Sequence, residues 1–172
     1  NRYTSKYLDV PNTPLYPFGY GLSYTQFRIS DIRLDKNSIP VNGSIRASVD
    51  VENIGKRSGD EVVQLYIQDV ASSVTRPVRE LKGFQRVSLA AGERRRVEFT
   101  LTSKELGTLD RNLKFFVEPG EFRVFIGDSS DATLQASFFV GAAPTVRPGA
   151  SPKPAGQTSG QLTKSIPAAP VS

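Results

Sequence analysis

Between Ile45 and Glu52 the chain alternates without a break: Ile45, Ala47, Val49 and Val51 are apolar, while Arg46, Ser48, Asp50 and Glu52 are polar. Successive side chains of a strand point to opposite faces, so a period of two predicts a strand with one wet face and excludes a helix. The pattern returns at Val63, Leu65 and Ile67, at Val97, Phe99 and Leu101, at Phe122, Val124 and Ile126, and at Ala136, Phe138 and Val140. Phe27 and Ile29 open the series. The step from Ile29 to Ile32 and Leu34 breaks parity, which predicts a bulge or bend in the first strand.

Turn formers punctuate these runs. Asn53 to Asp60 reads as a glycine-rich turn, so the strands on either side of it are expected to pair as an antiparallel hairpin. Leu81 to Leu89 reads as a short edge strand ahead of the Ala90-Ala91-Gly92-Glu93 turn, and Ser103 to Leu109 as one brief helical turn or an irregular crossover. Glu118-Pro119-Gly120-Glu121 reads as a tight hairpin or inter-strand turn, with proline fixing φ at one position and glycine relieving the next. Asn42-Gly43-Ser44 matches a glycosylation acceptor pattern, yet it lies where a turn should precede Ile45, and the turn is the simpler reading. Seven or so short strands with few helix candidates predict an all-β chain: a two-sheet sandwich of immunoglobulin-like or fibronectin type III-like character over residues 26–140.

Two segments fall outside the alternation. Residues 141–172 are rich in proline and glycine and contain no aromatic residue, which predicts a flexible, disordered tail because little apolar surface offsets the entropy of ordering. Within it, Ser151 to Gly156 is a weak polyproline-like stretch. Residues 1–25 form an irregular lead-in that holds five of the six tyrosines, with Tyr16 to Tyr24 reading YPFGYGLSY. Pro11, Pro14 and Pro17 oppose helix there, and the segment is expected to be an ordered arm. Tyr16, Phe18, Tyr20 and Tyr24 offer large apolar area with polar tips suited to docking, and Gly19 and Gly21 are expected to permit close approach or positive φ between the rings. The same rings can instead cap their own sandwich or stack on a sugar.

Composition removes whole classes of chemistry. With neither cysteine nor histidine, the chain offers no disulfide, thiolate, imidazole base or ordinary zinc site. Its acids are scattered, and no metal or cofactor site is expected. No apolar run approaches the roughly 20 residues needed to cross a bilayer, so no membrane span is expected. The start at Asn1 lacks an initiator methionine and a signal-peptide pattern, as expected of a fragment or processed chain. The net charge is +5, but Arg147, Lys153 and Lys164 place part of it in the tail. Arg94, Arg95 and Arg96 make the one dense basic run. Without aromatic interleaving or a reading motif it predicts a solvated strand edge and no nucleic-acid partner.

Four motifs in order carry a specific resemblance: YPFGYGLSYTQF at Tyr16 to Phe27, VVQLYIQD at Val62 to Asp69, RPVRELKGFQRV at Arg76 to Val87, and EPGEFRVFIG at Glu118 to Gly127. Together they resemble the C-terminal fibronectin type III-like domain of glycoside hydrolase family 3, which includes bacterial β-glucosidases and β-xylosidases. The resemblance covers Pro14 to Val140, and Asn1 to Thr13 is similar to the exit from the preceding α/β sandwich domain. It implies a parent enzyme acting on β-linked oligosaccharides or aryl glucosides by a retaining mechanism, with its aspartate nucleophile on a barrel domain and its acid/base usually on the following domain. Retaining chemistry needs two carboxyl groups about 5–5.5 Å apart across an anomeric carbon. Glu80, Glu93, Glu118 and Glu121 sit in strand or turn settings, so no catalytic residue is expected in this chain.

The resemblance also implies partners, namely the catalytic barrel and α/β sandwich domains of the parent, and a periplasmic or secreted location. Tyr16, Phe18, Tyr20 and Tyr24 are then expected to dock between domains. Arg76, Arg79, Glu80 and Phe84 are expected either to supply a charged rim around an aromatic anchor at the interdomain contact or to stabilise the fold locally. Arg79 and Glu80 are neighbours on an extended segment, so each should find a partner other than the other. A carbohydrate-binding module and an extracellular protein-interaction sandwich remain as alternatives.

Overall fold

A computed structural model describes residues 14–70 and 78–141. In chain order its elements are β1 (Phe27–Leu34), β2 (Ser38–Ile39), β3 (Ile45–Asn53), β4 (Gly59–Asp69), β5 (Glu80–Leu89), β6 (Arg94–Leu101), the helical turn α1 (Ser103–Leu106), β7 (Thr108–Leu109), β8 (Phe115–Phe116), β9 (Gly120–Gly127) and β10 (Leu134–Val140). The seven long strands form two sheets: β1-β3-β6, and β10-β9-β4-β5 with β2 at the β10 edge. All long-strand pairs are antiparallel, and β2 joins β10 in parallel. This is the expected two-sheet sandwich.

Its core is the inward half of each alternation. Val49 and Val51 of β3, Val63 and Leu65 of β4, and Phe122, Val124 and Ile126 of β9 have no exposed surface, and Phe122 stacks on Phe138 at 5.8 Å between ring centroids. Burying one such side chain contributes about 1.5–3 kcal/mol. The predicted irregularity of β1 is a register shift between Ser30 and Arg33, with Asp31 in the left-handed region at φ 58°. That step turns Ile32 and Leu34 back toward the core beside Phe27 and Ile29.

Two expectations are corrected. β3 and β4 do not form a hairpin: β3 pairs with β1 and β6, whereas β4 pairs with β5 and β9. The chain crosses between sheets over residues 54–58, and Asn53 organises the crossing. Its fully buried carboxamide accepts from Thr25 Oγ1 at 2.8 Å and from the Gly55 N–H at 3.1 Å, and donates to the carbonyls of Arg57 at 2.7 Å and Leu89 at 3.0 Å. Hydrophobic alternation says which face is apolar but not which strand is the neighbour. Glu118 to Glu121 is likewise no hairpin turn. β8 pairs with β7, and Gly120 is already in β9 opposite Val140.

The helical reading of residues 103–109 resolves into α1, closed by a Thr102/Glu105 capping box. At Asn42, the turn reading agrees with a Gly43 N–H bond to the Pro40 carbonyl at 2.8 Å.

The outer face of β1-β3-β6 is polar and ion-paired. Asp50 is only 6% exposed because guanidiniums close over it: Arg94 at 2.8 Å, Arg96 at 3.0 Å and Arg33 at 3.9 Å. Arg28 faces Glu52 and Arg46 faces Glu98, while Arg95 binds Glu93 at 2.7 Å. The basic run is thus largely neutralised by neighbouring acids. The hydrogen bond from Arg96, assisted by Arg94 and opposed by burial, holds the Asp50 carboxyl below its ordinary value of 3.8.

A carboxyl depressed in the folded state contributes stability that is fully present above its unfolded pKa and is lost as pH falls through the lower folded value. Asp50→Asn is predicted to destabilise the chain by about 1–3 kcal/mol at pH 7. It should also flatten the loss of stability below pH about 4, as read by urea unfolding across pH. Asn53→Ala is predicted to cost about 2–4 kcal/mol in the same assay, since it leaves buried donors and acceptors without partners.

Candidate interdomain docking surface

The outer face of the five-stranded sheet differs from its counterpart. On β4 the outward positions are Val62, Gln64 and Tyr66, and across from them on β5 stand Arg86, Phe84 and Leu81. Tyr66 faces Phe125 of β9. Outward-pointing Tyr66 and Phe125 are only 2% and 4% exposed and form a second small core with Ala132, because the β9–β10 loop, residues 128–133, folds back across this face. Arg79 closes the cover: its guanidinium lies 3.8 Å from the centroid of the Phe125 ring and donates to the carbonyls of Ser130 at 2.6 Å and Ala132 at 2.9 Å.

The arm runs onto this assembly. The Ser130 N–H donates to the Phe18 carbonyl at 2.8 Å. Gln64 Nε2 donates to the Gly19 carbonyl at 2.9 Å and to the Asp128 carbonyl at 2.8 Å, and its Oε1 accepts from the Tyr66 hydroxyl at 2.6 Å. Burial raises the Tyr66 phenol above its ordinary value, with the charge of Asp128 adding to the effect, so the hydroxyl stays a proton donor. Gly19 has φ 79°, and a side chain there would collide with the Gln64 carboxamide, so both the backbone conformation and the close approach require glycine. Gly21 does not share this role: its φ is ordinary and a side chain would meet nothing within 4 Å. Farther on, Ser23 reaches the Asp60 carbonyl and Thr25 reaches Asn53, carrying the arm to β1.

The arm's backbone is tied down while its apolar side chains point out. Tyr16 is 65% exposed, Phe18 67% and Tyr24 96%. Tyr20 is less so, with its ring 5.3 Å from that of Tyr16 and tilted by 32°. Phe84, also 67% exposed, stands opposite Gln64, the residue that holds Gly19. Tyr16, Phe18, Tyr20 and Phe84 are therefore brought to one side of the sandwich. Tyr24 lies apart, beyond Ser23 near the start of β4.

Other predicted residues sit differently. Arg79 is turned over Phe125 and into the loop. Glu80 pairs with Lys82 at 2.6 Å, so the two neighbours do find separate partners. Arg76 lies outside the described residues. Exposed Val62 and Leu81 on the same outward face enlarge the surface and were missed, although Val62, out of phase with Val63, Leu65 and Ile67, was a visible signal. Among the described residues no group of three Asp, Glu, His or Cys side chains could hold a metal. Glu93 and Glu121 are engaged locally, by Arg95 and Arg123.

Comparison with known proteins gives this surface a context. A fibronectin type III-like domain model matches residues 61–130. The chain is 49% identical over 138 residues to a periplasmic β-glucosidase of Salmonella typhimurium, covering 80% of this chain and 18% of that protein. It is 50% identical over 127 residues to a β-xylosidase of Formosa agariphila, covering 74% of this chain and 18% of that one. The crystal structure of a β-glucosidase from Listeria innocua in complex with isofagomine superposes with a TM-score of 0.74 at 43% identity, over 82% of this chain and 20% of the other. The chain thus spans about a fifth of the length of the relatives it matches. This chain carries the fibronectin type III-like domain of the glycoside hydrolase family 3 β-glucosidases and β-xylosidases.

Proposed function

We propose that this domain is a noncatalytic structural part of a β-glucosidase-like glycosidase. It packs through Tyr16, Phe18, Tyr20 and Phe84 against the catalytic barrel and α/β sandwich domains and stabilises their arrangement. The observation that carries this reading is the contrast within the arm: a backbone bonded to Gln64 and Ser130 presents aromatic rings that are two-thirds exposed. Exposed aromatic area on a rigid support is what a buried interface core requires, and such residues carry most interface energy. The chain's share of its relatives' length supplies the natural occupant, since about four fifths of those proteins lies outside what it matches.

The parent is proposed to hydrolyse terminal nonreducing β-D-glucosyl or related residues, with its two carboxylates supplied outside this chain. Arg79 and Glu80 border the surface by position, Tyr24 extends it toward β1, and Arg76, outside the described residues, is proposed as a rim charge on its sequence setting alone. The proposed organisation is residues 1–25 as exit segment and docking arm, 26–140 as sandwich and 141–172 as tail. No helix among the described residues is long and apolar enough to cross a membrane. A periplasmic or secreted location is proposed by likeness to the Salmonella protein.

Replacing Tyr16 and Phe18 together by alanine in the whole parent enzyme is predicted to lower its melting temperature by several degrees, an interface loss of about 2–4 kcal/mol. The isolated 172-residue chain should lose far less, because those rings are exposed in it. Equal melting temperatures for variant and wild-type parent would remove the docking reading. Saturable binding of cello-oligosaccharides to the isolated chain, abolished by the same substitutions, would favour a sugar-stacking platform instead.

A further inference from the structure

We propose that Gln64 and Arg79 are positioning residues, forming a polar clamp that assembles the docking surface on the sandwich before any partner arrives. The inference rests on the docking reading, which it deepens by naming what holds the surface in place. Residues 14–25 form no regular strand, so no sheet ladder fixes them. Their attachment near the exposed rings runs through two consecutive carbonyls, Phe18 and Gly19, which accept from the Ser130 N–H and from Gln64 Nε2.

The Ser130 donor depends on the β9–β10 loop lying flat on the sheet, and Gln64 ties that loop and the arm to β4 together. Gln64 holds the loop's first residue through the Asp128 carbonyl, and Arg79 holds its far side through the Ser130 and Ala132 carbonyls while covering Phe125. Ser130 is therefore gripped at both ends of one residue. Its carbonyl accepts from Arg79 and its N–H donates to the arm.

The residue types suit the task. The Gln64 carboxamide has two N–H donors and one carbonyl, and here both donors meet carbonyls while the oxygen receives the Tyr66 hydroxyl. A carboxylate of the same shape would present only acceptors to the Gly19 and Asp128 carbonyls. At position 79 one guanidinium nitrogen, Nη1, donates to both carbonyls while the planar group stacks on the Phe125 face, and it is this stacking in register with the two bonds that an ammonium does less well. Preassembly has a consequence for binding: an arm already ordered does not lose that conformational freedom on docking, so affinity is higher than the contacts of a floppy arm would give.

The test uses the full 172-residue chain without a partner and reads amide protection by NMR hydrogen exchange. In Arg79→Lys and in Gln64→Glu, the amides of Ser130 and Tyr20 should exchange faster by a factor of about ten or more, whereas those of β3 and β6 and the global urea midpoint stay close to wild type. In Gln64→Glu the protection factor at Ser130 should partly recover as pH falls and the introduced carboxyl regains one O–H donor. A role in general stability alone would spread that recovery over the amides of β3 and β6 as well, instead of confining it to the loop and the arm. Unchanged protection at Ser130 in both variants overturns the clamp, as does a loss spread evenly over the sandwich. Because no partner is present, this outcome is separate from the fate of the docking reading, which the parent-enzyme melting experiment decides.

Discussion

Strand β4 has no wet face along its middle. Val63, Leu65 and Ile67 point into the sandwich and are essentially unexposed, and on the opposite side Gln64 and Tyr66 are 5% and 2% exposed. A strand covered on both sides needs a second layer over its outer face, and here the layer is a loop and an arm instead of a helix or a third sheet. Loops bring polar backbone with them, so the cover is viable only if their carbonyls and N–H groups find partners. Gln64, Tyr66, Arg79 and Ser130 supply those partners, and the position of every exposed ring near Phe18 follows from them.

The two outer faces divide the labour. Over β1-β3-β6 the charges alternate in sign and close on one another around Asp50, leaving a surface whose polar groups already have partners. Over β4, β5 and β9 the residues left outside the loop include Phe84, Leu81 and Val62, which continue the patch begun by the arm, with the Asp60–Arg86 ion pair at its edge. A domain carrying such asymmetry has one side suited to water and one suited to contact. This matches a domain that accounts for about a fifth of each relative's length.

Much of the sandwich was legible because its inward residues obey a strict period of two, and even the parity break in β1 became the bulge at Asp31. What alternation does not encode is partnership. The residues flanking Asn53 look like a hairpin, yet the buried carboxamide of Asn53 turns the chain from one sheet to the other, and nothing local to the sequence reveals its hydrogen bonds to distant Thr25 and Leu89. The aromatic arm was visible as a cluster of rings. The clamp beneath it was not, since Gln64 and Tyr66 read as ordinary outward residues of a half-buried strand. Arg79 read equally as a rim charge or a local stabiliser, and its partners were hidden for the same reason: the fold-back of residues 128–133 is a tertiary event that leaves no periodic trace.

The central claim is that this domain contributes by holding other parts of a glycosidase in place. Its most direct test mixes the chain with the matched remainder of its parent and follows both complex formation and hydrolysis of chromogenic β-glucosides and β-xylosides. A stable complex, with activity that appears or rises only in the mixture and none from the chain alone, is the predicted result. Two folded partners that neither associate nor change in activity would contradict the account.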